Sequence, residues 1–192
     1  MRALRGAVKM DDMTLPAVNA VSAYRGPRGF HWFAPGLLGG AGRPGLLGPV
    51  ERDLEALQRV GTGLLVSLTE EWAPDPALMA EYGIESLHLP ITDRHAPDPG
   101  AARDCCDQAA EWIAAARPVV YHCRAGKGRT GTLIAAQLIH AGLPPEEAVA
   151  RTRAANSTWI ENDVQLQMVL GAAEALTAPA AQTALVRRLL EL

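Results

Sequence analysis

The chain has 192 residues, 48% of them hydrophobic, with 18 Lys and Arg against 21 Asp and Glu for a formal net charge of −3. That length suits one α/β domain with extensions, large enough to bury a core, and the charge balance carries no chain-wide basic signature for nucleic acid. No apolar run is long enough to span a membrane, so no stable membrane insertion is expected, and the opening MRALRGAVKMDDM lacks the apolar core of a signal peptide.

Residues 1–20 mix charges, Met and Pro without periodicity and read as a weakly ordered tail, leaving residues 21–192 as a single domain. Residues 30–33 read as a first strand and 34–40 as a turn into a second short strand. Residues 50–60, apolar at Val50, Leu54, Leu57 and Val60, predict an amphipathic helix ended by Gly61. The continuous apolar run 63–68 suits the middle of a sheet. A second helix over 75–82 stops at Gly83, and 84–90 reads as a further strand running into the Pro-rich segment 89–100. A long helix is expected over 98–117. It carries Cys105 and Cys106, which read as core residues. With Cys123 they make three cysteines, no disulfide framework, and a fit to a reducing, cytoplasmic compartment.

Residues 118–121 read as a buried strand and 132–140 as the helix that follows. Gly142-Leu143-Pro144-Pro145 is a break, with further helices expected over 146–154, 160–176 and 181–191. The alternation of strand and helix argues for an α/β fold, a mainly parallel central sheet covered by helices on both faces.

Between the strand at 118–121 and the helix at 132–140 lies His122-Cys123-Arg124-Ala125-Gly126-Lys127-Gly128-Arg129-Thr130-Gly131. Gly126 and Gly128 let the backbone curl so that successive N–H groups point inward as an anion-binding nest, and Arg124 to Gly128 form its wall. The helix start adds unpaired donors and positive potential. Cysteines at helix N-termini or beside cations ionise more readily than ordinary thiols, which suits Cys123 as a nucleophile. The planar fork of Arg129 suits two phosphate oxygens, and the Thr130 hydroxyl can reach back to the sulfur. A buried cysteine at a strand end is more often a small hydrophobe than a nucleophile, but that reading must also explain three basic residues and a threonine in one tight loop.

Cys-x5-Arg-Thr with His before the Cys resembles the signature loop of the protein tyrosine phosphatase superfamily. The form CRAGKGRTG is most similar to the dual-specificity branch and close to the loop of the phosphatase-and-tensin-homologue lipid phosphatases. A rhodanese-type sulfurtransferase also sets a cysteine on an anion-binding loop but lacks this spacing. The resemblance covers residues 28–175 and implies the cysteine-phosphatase fold with a helical C-terminal part. It also implies a phosphomonoester hydrolase that needs no metal or other cofactor.

Such a hydrolase needs a group to protonate the leaving oxygen, on a loop outside the carboxyl end of a parallel strand. Asp93, in the segment after strand 84–90, is the expected acid, and its P-I-x-D-x-x-x-P setting resembles the acid loop of dual-specificity phosphatases. Asp98 is the rival, but it precedes Pro99 at a helix start, where a capping role accounts for it. His122 is expected to order the loop and stabilise the thiolate. Arg124 and Lys127, with Arg94, are expected to face substrate; the resemblance then implies tolerance of strongly acidic substrates. Gln165 matches a glutamine that related enzymes place facing the site. Cys105 or Cys106 could also guard an oxidised Cys123 as a disulfide partner, as in some relatives. The substrate expected is a phosphorylated protein or a small acidic phosphoester, with a phosphoinositide, inositol phosphate or nucleotide as the alternative. A non-catalytic phosphate-binding module is the reading from a different class.

Overall fold

The computed structural model describes residues 26–177. The tail at 1–20 and the helix expected over 181–191 lie outside the described residues. In chain order the elements are β1 (His31–Ala34), β2 (Leu38–Gly42), α1 (Val50–Arg59), β3 (Leu64–Thr69), α2 (Pro76–Glu81) and β4 (Glu85–Ile91). They are followed by α3 (Pro99–Ala114), β5 (Val119–Cys123), α4 (Gly128–His140), α5 (Pro145–Ala155), α6 (Asp163–Gly171) and α7 (Ala173–Leu176).

The strands form one five-stranded sheet in the order β1-β2-β5-β3-β4. Only the β1–β2 pair is antiparallel; β2–β5, β3–β5 and β3–β4 are parallel. The α/β, mainly parallel expectation therefore holds. β3 and β5 are buried along their whole length, which is why both read as unbroken apolar runs. β4 alternates and lies at the edge, where Pro90 can sit because no neighbour asks for its missing N–H.

Alternate residues of the central strands feed opposite faces. Leu64, Val66, Val119 and Tyr121 pack with α3 and α4. Leu65 and Val120 pack with Leu54 and Leu57 of α1 and Met79 of α2. Cys105 and Cys106 are buried on the α3 side, and burial pushes both thiols well up, Cys105 to about 12. The core reading of the pair therefore holds.

All thirteen residues of α4 are buried. Leu133, Ile134, Leu138 and Ile139 are essentially inaccessible, and each such side chain contributes about 1.5–3 kcal/mol on burial. That total outweighs the poor helix propensity of the opening Gly-Arg-Thr-Gly, so packing fixes the helix. The site is thus built on a helix buried along its whole length.

The last long helix departs from expectation. Ile160 has φ 58 and Asn162 caps a helix that begins at Asp163, so the run expected from 160 starts three residues later. The helix also breaks at Ala172. Asn162 Oδ1 accepts from Gln165 N at 3.0 Å, a capping interaction that competes with helical continuation toward the N-terminus.

Candidate active site

β5 ends at Cys123 and α4 begins at Gly128, so the turn between them must be tight. Gly126 makes it possible twice over. Its φ is 71, and a Cβ there would lie 2.5 Å from the Ala41 carbonyl carbon and 2.6 Å from Gly42 N. The loop is pressed against β2 with no room for a side chain. Arg43 N donates to Arg124 O at 3.3 Å from the same side. On the other side Trp159, fully buried, donates from Nε1 to Gly126 O at 3.1 Å. Gly131 packs directly on Trp159 and Ile160, and Gln165 lies over Gly128.

Arg129 is anchored from below. Its side chain is 1% exposed, and Nη1 donates to Ile91 O at 2.9 Å and Leu68 O at 3.3 Å. These are carbonyls at the ends of β4 and β3, partners that take up the charge at modest desolvation cost. Glu71 Oε2 lies 3.7 Å from Nη1. Nη2 lies 2.9 Å from Asp93 Oδ1, an ion pair made without hydrogen-bond alignment.

Asp93 stands on the β4–α3 loop with its side chain 64% exposed, and Oδ1 also accepts from Arg94 N at 3.0 Å. His95 folds back on the same turn, N to Thr92 O at 3.0 Å and Nδ1 to Asp93 O at 2.9 Å. Asp98 lies outside this constellation. Its Oδ1 accepts from Gly100 N and Ala101 N at 2.9 and 3.1 Å, capping α3 as expected.

One cleft of about 290 Å³ is lined by Asp93, Arg94, Cys123, Arg124, Ala125, Lys127, Gly128, Arg129, Glu161 and Gln165. The structure therefore brings Asp93, Cys123 and Arg129 together, with the three flanking cations at the same opening. Three sequence candidates stand behind the loop and not in the cleft. Gly126 faces β2. The Thr130 hydroxyl is buried without a hydrogen-bond partner. His122 is wholly buried on the reverse side of β5, its ring edge-on to Trp72 with centroids 5.4 Å apart.

Burial drives the His122 pKa down from 6.5 to about 3; the Cys123 backbone opposes this, while Arg43, Arg129 and His88 add to it. The ring is neutral across physiological pH, so any help it gives a thiolate is by hydrogen bonding and not by charge. A linkage follows. As pH falls from 6.5 toward 3 only the unfolded chain takes up this proton, so folding stability is lost across that window. A His122→Gln protein should show a shallower fall in Tm over the same range, measured by thermal melts in matched buffers. A fall as steep as the parent's would assign the acid sensitivity to other groups.

Sequence reasoning passed over Trp159, Asn162, Glu71 and Glu161. Only Asn162 carried a readable signal, its three-residue spacing from Gln165 being that of a capping box. Among the described residues no three His, Cys, Asp or Glu side chains gather as a metal site.

The family model for "Polymorphic toxin system, DSP-PTPase phosphatase" matches residues 39–143, from β2 through the end of α4. The Arabidopsis thaliana protein named phosphatidylinositol 3,4,5-trisphosphate 3-phosphatase and protein-tyrosine-phosphatase PTEN1 is 32% identical over 86 residues, 42% of this chain. The chain spans 21% of that relative's length. Among solved structures, the active form of Tk-PTP superposes with a TM-score of 0.67 at 25% identity, covering 76% of this chain and 96% of that one. Kinase-associated phosphatase superposes with a TM-score of 0.70 at 21% identity, covering 81% of this chain and 99% of that one, a likeness of fold.

Proposed function

The chain belongs to the DSP-PTPase phosphatase family of polymorphic toxin systems, and from that premise we propose that it is a cysteine-dependent phosphatase, with the following side chains and substrate. Cys123 Sγ attacks phosphorus as the ester P–O bond breaks, and Asp93 gives its proton to the leaving oxygen. Water then attacks the phosphocysteine, Asp93 takes the water's proton, and the sulfur leaves as thiolate. Arg129 and the backbone N–H groups of the loop hold the equatorial oxygens, over which the transition-state charge is spread in both steps. Thr130, with its unpartnered hydroxyl, is the donor to the departing sulfur, and His122 orders the loop from behind. No step calls on a metal or cofactor.

The observation that supports this reading most is the meeting of Asp93 and Cys123 in one cleft around the Arg129 guanidinium. Its test is leaving-group dependence. Asp93→Asn should lower kcat on phenyl phosphate by roughly 10²–10⁴-fold, the range of general acid catalysis, and far less on para-nitrophenyl phosphate, whose leaving group needs no proton. Equal losses on both substrates, or a larger loss from Asp98→Asn, would move the acid.

The substrate proposed is a phosphorylated protein or a small acidic phosphoester met in a reducing, cytoplasmic compartment, for which three buried free cysteines are suited. The second reading, a phosphoinositide, inositol phosphate or nucleotide, is supported by Arg94, Arg124 and Lys127 lining the same opening and by the name of the Arabidopsis relative. Parallel kcat/KM values for a phosphotyrosyl peptide and a soluble inositol polyphosphate decide between them. No described helix is long and apolar enough to cross a membrane.

A further inference from the structure

Arg94, immediately after Asp93, has φ 64, a left-handed backbone that a non-glycine residue keeps only when its surroundings hold it there. The holders come from α6. Asn162 Nδ2 donates to Arg94 O at 3.0 Å, and Gln165 Nε2 donates to His95 O at 3.3 Å. The Arg94–His95 peptide is thus fixed and holds Arg94 in this conformation; across its Cα, Arg94 N donates to Asp93 Oδ1 at 3.0 Å, and the same carboxylate oxygen meets Arg129. Asn162 is itself braced, since Arg153 Nη2 donates to the carbonyl of Ile160, a second non-glycine residue at positive φ.

The bland account of Asn162 is a helix cap. A cap alone is served equally by serine or aspartate, each of which supplies an acceptor oxygen. Here the side chain accepts from Gln165 N and donates to Arg94 O at once. Only a primary amide has both an oxygen acceptor and an N–H donor at that reach. We infer that Asn162 is a positioning residue for catalysis: it clamps the Arg94 carbonyl so that the Asp93 carboxyl is aimed into the cleft. The inference rests on the reading of Asp93 as the general acid.

The experiment separates clamp from cap and both from the acid. Asn162→Ser keeps a capping oxygen and removes the donor to Arg94. Rates on phenyl phosphate and para-nitrophenyl phosphate are measured for the parent, Asn162→Ser, Asp93→Asn and the double variant, with Tm for each. Asn162→Ser should lower kcat on phenyl phosphate about 10-fold and change the para-nitrophenyl rate by no more than about 2-fold. In the Asp93→Asn background it should cost nothing further, because the group it positions is gone. Asn162→Asp, which also caps but cannot donate, should repeat the pattern. Equal losses on both substrates, or an undiminished loss in the double variant, would overturn the inference. If Asp93→Asn shows no preference between leaving groups, the acid assignment fails and the clamp falls with it; if Asp93→Asn shows it and Asn162→Ser does not, only the clamp fails.

Discussion

Cys123→Ser is expected to lower turnover of para-nitrophenyl phosphate by roughly 10⁴-fold or more while leaving phosphate binding in place. The hydroxyl of serine is a far weaker nucleophile near neutral pH than a thiol, and loss of a covalent nucleophile is among the largest single effects in enzyme kinetics. The fold has little reason to object. Cys123 is 3% exposed at the end of a central strand, and the bonds that hold the loop, Arg43 N to Arg124 O and Trp159 Nε1 to Gly126 O, do not involve its side chain. Measured by steady-state rates beside an orthovanadate or phosphate binding titration, the two quantities should part company. Retained hydrolysis would remove Cys123 from the mechanism. Lost binding with lost hydrolysis would show instead that the cradle had collapsed.

Arg129→Lys is the second large effect, and it carries two signatures. A lysine keeps one positive charge but replaces a planar fork with a point charge, so it cannot hold two carbonyls and two phosphate oxygens together. Loss of a preorganised donor to transition-state charge costs about 10²–10³-fold in kcat. The same substitution strips donors from Ile91 O and Leu68 O, at the ends of β4 and β3. Leaving a buried acceptor unpaired costs about 1–3 kcal/mol, so Tm should fall as well. Kinetics and melts together check both halves. A lysine variant with a parental Tm and a parental kcat would show that the guanidinium is not what joins the sheet to the phosphate.

The central part of this site was legible because its chemistry demands neighbours in sequence. A cysteine, its glycine-bearing turn and its arginine fit in seven residues, and the strand before them is a simple apolar run. Asp93 could be placed from its position after a strand, because parallel topology sends all such loops to one edge. What escaped was long-range. Trp159 meets Gly126 across 33 positions, and Asn162 and Gln165 meet Arg94 and His95 across 68 and 70. No local pattern announces a hydrogen bond to a distant carbonyl.

Element boundaries failed for a related reason. The loop helix was expected from 132, at its first apolar residues, yet it begins at Gly128. Its first turn is written for phosphate and for close packing on Trp159, not for helical periodicity. The helix expected from 160 is shortened by Ile160, which lies against Gly131 at positive φ, and by Asn162, whose side chain bonds the carbonyl of Arg94.

The total enclosure of α4 divides the site into two halves with different relations to unfolding. Amides of β5 and α4 should exchange with solvent deuterium only when the whole domain opens, since every residue of that helix is covered on all sides. The Asp93 loop is exposed and tied down by a few side-chain bonds, so it can open alone. On the proposed roles, the Asp93 carboxyl can swing away many times over while the Cys123 loop stays folded around its phosphate. On that proposal the transient inactive form is a binder, not an unfolded chain.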